Sequence, residues 1–159
     1  MTNLNEIITV TSIDEKNSIV NISEVVAPLQ SKEVVALSFI KGGTSYDSYI
    51  AGEPISGGRV IVVIDGLAYH ANIKNIEHRD KVVGFSRTAA AEGVAFDVAI
   101  RGKFYYYGLG LIPDVNYTFD ELGRPSTSPP TGAKFWQTLG NSINQDTINI
   151  KLSHTISRT

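Results

Sequence analysis

A chain of 159 residues, 42% apolar and 19% charged, is long enough for one domain of ordinary size, or for a small module with an N-terminal accessory piece. Its net charge of −2 is carried by Lys, Arg, Asp and Glu scattered singly, so no basic run is available to neutralise phosphates and no nucleic-acid partner is expected. With no cysteine there are neither disulfides nor thiolate metal sites, which fits either redox compartment.

The opening MTNLNEIITV has no charged start followed by an apolar core, so a secretory signal is not expected. No apolar run approaches the roughly 20 residues that cross a bilayer, so the expectation is a soluble protein made in a cytoplasm, with no membrane partner. Glu6 to Ser12 and Ser18 to Val26 flank the charged Ile13-Asp14-Glu15-Lys16-Asn17, the pattern of a hairpin. Pro28 ends the second strand, because it cannot donate to a ladder. Lys32 to Lys41 predicts a third strand. The polar, glycine-rich Gly42 to Tyr49 then reads as a linker or boundary, separating an N-terminal region, 1–50, from a C-terminal module, 51–159.

In the module, Arg59 to Ile64 (RVIVVI) is apolar on both faces, as expected of a strand covered on both sides. Asp65-Gly66 predicts a two-residue type I′ turn into Leu67 to Ala71. Lys81 to Phe85 is the next strand, and Ala89 to Glu92 reads as a connector. Between Val94 and Arg101, a period of two places Val94, Phe96, Val98 and Ile100 on one face. Ile148, Ile150 and Leu152 repeat that pattern against Asn149 and Lys151. Ten or so short strands without crossover helices predict an all-β fold, an antiparallel sandwich or barrel carrying an N-terminal hairpin or strand attachment region.

Catalytic equipment is sparse. His70, His78 and His154 stand in no ligand spacing, and surface or turn positions are expected for them, with at most two close together. Ser38-Phe39-Ile40-Lys41 matches a Ser-x-x-Lys string, but a strand points positions three apart to opposite faces. Asp114, Asp120 and Glu121 surround a loop where nothing nearby would split their pKa values for acid–base work. Gly108-Leu109-Gly110 lacks the helix that a phosphate cradle needs. No catalytic residue, metal ligand or cofactor is expected.

Aromatics carry more. Phe104-Tyr105-Tyr106-Tyr107 forms a run, followed by Tyr117, Phe119, Phe135 and Trp136. Alternation along a strand sends about half of these to the core and leaves the outward half, with Tyr105 and Tyr107 foremost, for a partner. Tyr105, Tyr106, Tyr107 and Trp136 are the candidate interface or ligand contacts.

The strings Gly-Glu-Pro-Ile-Ser-Gly-Gly-Arg-Val (52–60), KVVGFSRTAAAEGV (81–94), Leu109 to Tyr117, Ser128-Pro129-Pro130-Thr131-Gly132 and Gly140 to Leu152 follow one another in fixed order. In that order, 51–152 resembles a β-module of head-decoration, head-fibre and tail-fibre proteins of tailed bacteriophages. The resemblance implies a non-enzymatic virion structural protein, a surface decoration or short fibre. It implies a homo-oligomer, most simply a trimer, attached through its N-terminal strands to other virion proteins such as capsid or tail subunits. The alternative is a carbohydrate-binding module that contacts a host surface glycan through Tyr105, Tyr107 and Trp136.

Overall fold

The computed structural model describes residues 43–159. The three strands expected within 6–41, and the Ser-x-x-Lys string, lie outside the described residues. The rest is all-β, as expected: eleven strands, with a single 3-10 turn at Ile76–His78.

The segment from Gly42 to Tyr49, read above as a linker, is instead mostly strand. β1 (Ser45–Ala51) lies antiparallel to β5 (Ala95–Tyr105), with Asp47 opposite Val98 and Tyr49 opposite Phe96. Glycine and polar content misled there, because this strand buries only a few side chains, Ala51 fully and Tyr49 partly among them, and leaves Tyr46, Asp47 and Ser48 exposed. At its end β1 also runs parallel to β3 (Leu67–His70), pairing Ala51 with Ala68. β3 forms the predicted hairpin with β2 (Val60–Ile64), Ile64 opposite Leu67. Asp65 and Gly66 both take positive φ, 51° and 84°, as a type I′ turn requires. β2 pairs with β4 (Val82–Ser86), and β4 with β5. The ring β1–β3–β2–β4–β5–β1 therefore closes into a small barrel, with one parallel pair in an otherwise antiparallel wall.

β5 is eleven residues long and outlasts the barrel. Its first part pairs with β1 and β4; from Gly102 onward it pairs with β10 (Thr147–Ile150), then β9 (Gly140–Asn144), β6 (Asn116–Phe119) and β7 (Pro125–Ser126) continue a second sheet. β8 (Phe135–Trp136) and β11 (Ile156–Ser157) make a separate two-stranded ribbon.

Two cores follow from strand alternation. Ile61, Ala68, Phe96 and Val98, with Ala51 and the loop residue Ile55, fill the barrel. Val60, Val62, Phe85 and Ala99 point out of it and meet Phe104, Tyr117, Phe119, Ile148 and Ile150 from the second sheet. β2 thus serves both cores with successive residues, and Val60, Ile61 and Val62 are all fully buried. That is why RVIVVI contains no polar position after its arginine. Val94 departs from its expected face: it precedes β5, donates from its backbone to Ala91 in a turn, and is half exposed.

Two buried serines pin the loops that cross the layers. Ser86 Oγ donates to the Ser56 carbonyl (2.6 Å) and accepts from Arg59 N–H (3.0 Å). Ser142 Oγ donates to the Ile112 carbonyl and accepts from Val115 N–H (3.1 Å). Both hydroxyls are fully enclosed and fully used.

Candidate functional site

The aromatic run leaves the sheet at the end of β5. Phe104 faces the interlayer core and stacks on Phe85, centroids 5.4 Å apart. Tyr105 points the other way and is 61% exposed, and Tyr107, just past the strand, is 81% exposed. Tyr106 differs from what was expected of a contact residue. It is half-buried, stacks against Phe104 and covers Gly57 and Gly58 so closely that a Cβ at either would sit under 3 Å from its ring or hydroxyl. Its role is to hold the loop before β2 against the second sheet. Trp136 is 43% exposed, but it sits in the β8–β11 ribbon opposite the exposed Ile156. The ring pairs among the described residues are Phe85–Phe104, Phe104–Tyr106 and Phe119–Phe135, so Trp136 stacks with neither tyrosine. Tyr105 ends β5 and Tyr107 lies in the turn that follows it, whereas Trp136 belongs to another element.

Folding brings His70 and His78 to one cleft of about 510 Å³, lined also by Glu53, Arg59, Asp65, Tyr69 and Glu121. His70 is fully engaged. Its Nε2 accepts from Ser56 N–H (3.0 Å), which puts the proton on Nδ1, donated to Glu53 Oε1 (3.0 Å). The same carboxylate oxygen accepts from His70 N–H (2.8 Å). His78 occupies a polar turn, as expected, yet it is buried rather than on the surface. Its Nδ1 accepts from Asn72 N–H (3.0 Å). Burial disfavours the imidazolium and lowers its pKa below 6.5, aided by Lys81 and opposed by Glu53 and Glu77. His154 is exposed and far along the chain. Among the described residues no three His, Asp or Glu side chains gather as metal ligands.

The loop carboxylates serve local structure. Asp120 Oδ1 accepts from the N–H groups of Leu122 (2.8 Å) and Arg124 (2.9 Å), and its Oδ2 pairs with Arg124 Nε (2.9 Å). Glu121 lies 3.0 Å from Lys74 Nζ. Asp114 is exposed at a positive-φ turn position. Gly108 N–H donates to Asp146 Oδ1 (2.9 Å), which closes the Gly-Leu-Gly loop on the β9–β10 turn.

Sequence reasoning missed the outer face of the second sheet. Direct cross-strand pairing lines up Lys103, Asn149, Asn141 and Asn116, one from each of β5, β10, β9 and β6. All four are exposed. The alternation of Ile148 and Ile150 with Asn149 and Lys151 already marked one strand of this face; the register across strands was needed for the row. In comparisons with protein-family models and with curated proteins, no family model and no curated protein matches this chain.

Proposed function

We propose that the chain is a non-enzymatic structural protein of a tailed-phage particle, a surface decoration or short fibre that assembles as a homo-oligomer, most simply a trimer. The resemblance of 51–152 supports the family. The observation that carries the contact role is the pair Tyr105 and Tyr107, 61% and 81% exposed, the first held in the ladder opposite Thr147 and the second in the turn just after it. Exposed tyrosines bury large apolar area while keeping a polar tip, which suits subunit contact. In this reading the residues before Thr44 attach to the particle or to neighbouring subunits, and the module from Thr44 onward is displayed or clamps adjacent capsid or tail subunits.

Sedimentation equilibrium of the full chain tests the assembly. A trimer gives three times the 17.3 kDa of the chain, and Tyr105→Ser/Tyr107→Ser shifts it toward monomer with the fold intact. A wild-type monomer at all concentrations overturns the oligomeric reading.

The alternative, a carbohydrate-binding module, is favoured by the same two tyrosines, since an exposed ring can stack on a sugar. It no longer includes Trp136 in the platform, and Trp136→Ala is expected to leave such binding unchanged.

A further inference from the structure

We infer that the outer face of the second sheet binds a carboxylate-bearing polysaccharide, with its acid groups held between Arg101 and Lys151 and its hydroxyls on the asparagine row. The inference rests on the carbohydrate-binding alternative and names its ligand and site.

The cations come first. A groove of about 430 Å³ beside β5 and β10 is lined by Arg101, Lys151, Asn149, Gly102, Ile150 and other apolar residues, and no acidic side chain among the described residues lines it. The pairing of Gly102 with Ile150 brings Arg101 and Lys151 to the same level on adjacent strands. Lys103 is the cross-strand partner of Asn149. The ion pairs among the described residues involve His70, Lys74, Arg79, Arg87 and Arg124, so these three cations have no carboxylate of a described residue within 4.0 Å. Like charges facing one another across strands oppose folding. An anion seated between them removes that repulsion.

The amides come second. Asparagine is disfavoured in strands, yet three occupy one row across β10, β9 and β6. Neighbouring strands place them roughly 4.8 Å apart. The side-chain hydrogen bonds of asparagine among the described residues are made by Asn72, Asn75 and Asn144. Asn116, Asn141 and Asn149 make no side-chain hydrogen bond to another described residue, and an amide offers both the donor and the acceptor that a sugar hydroxyl needs. Tyr105, two residues beyond Lys103 on the same face, adds a ring for stacking.

Other anionic polymers fit less well. A nucleic acid needs a longer basic track than three cations on a chain of charge −2. An acidic peptide added as a strand needs a free edge, and the central strands of this sheet are paired on both sides.

Affinity electrophoresis of the full chain through gels containing polygalacturonate, hyaluronate, dextran or duplex DNA tests the inference. Retardation by at least one of the two carboxylated polymers and not by dextran is expected. At least tenfold weaker binding is expected in Arg101→Gln/Lys151→Gln and in Asn141→Ala/Asn149→Ala, with thermal unfolding unchanged. If dextran retards the protein as strongly, or the variants bind the acidic polymer like wild type, the site and ligand class are wrong while a carbohydrate-binding role stands. Equal retardation by DNA overturns the inference in favour of plain cation exchange. Silence of all the polysaccharides overturns both the inference and the carbohydrate reading.

Discussion

At the scale of single residues, the polar side chains inside this module mostly support backbone. Ser142 is the clearest case: one enclosed hydroxyl satisfies an N–H and a C=O from a loop about thirty residues away in sequence. Ser142→Ala strands both backbone groups, and urea unfolding is expected to show a loss of about 1–3 kcal/mol. His78 makes a different statement. Its folded pKa lies below its unfolded value of 6.5, so the unfolded chain takes up the proton first as pH falls. Stability from this group is complete above about pH 6.5 and declines as the pH drops below it. His78→Asn keeps an acceptor for Asn72 N–H and cannot titrate. Unfolding free energies measured from pH 7.5 to 5 are expected to fall less steeply in that variant; an unchanged slope would refute the assignment. Neither role was legible in the sequence. A serine or histidine shows its partners only after distant segments meet, and Glu77-His78-Arg79-Asp80 looks solvated because its neighbours are.

At the scale of elements, periodicity was the reliable guide wherever one strand face or both were filled. RVIVVI, the Asp65-Gly66 turn and the Ile148–Ile150 alternation all lie where pattern placed them. β1 was misread because Tyr46, Asp47 and Ser48 in it are exposed, and its partners, β5 and β3, are distant in sequence. The candidate site divides in the same way. Outward Tyr105 follows from alternation, whereas Tyr107 is exposed in the turn beyond the strand, and Tyr106 turning in over Gly57 and Gly58, and Trp136 on its own ribbon, depend on packing between elements. Gly140 shows how tight that packing becomes. A Cβ there would lie 2.0 Å from the Asn149 carbonyl oxygen, across the β9–β10 ladder. Gly140→Ala must push the strands apart and is expected to cost about 3 kcal/mol or more by thermal denaturation. Gly66→Ala, which meets nothing within 4 Å at φ +84°, is expected to cost only about 1 kcal/mol.

At the scale of the molecule, Thr44–Thr159 forms a compact unit with its own cores. β1 closes the barrel, so the boundary suggested by composition at residue 51 would cut through the wall. A chain beginning at Thr44 is expected to unfold in one cooperative transition with dispersed amide resonances. One beginning at Gly52 leaves β5 and β3 without their shared partner and exposes Phe96 and Ala68, and it is expected to lose that cooperativity.

The long strand β5 has a further consequence for how such a module can be altered. Because one strand is wall to the barrel and edge to the second sheet, no cut through the chain yields two pieces that each keep a finished hydrogen-bond ladder. The module is inherited, transplanted or lost as a block. New sequence can enter it only where the backbone already leaves the sheets, as in the Thr127–Gly132 loop, whose Thr127, Ser128, Thr131 and Gly132 are exposed. Diversity in proteins built on this plan is therefore expected to gather in such loops and on the outer faces, while the strand that joins the two layers stays the same length.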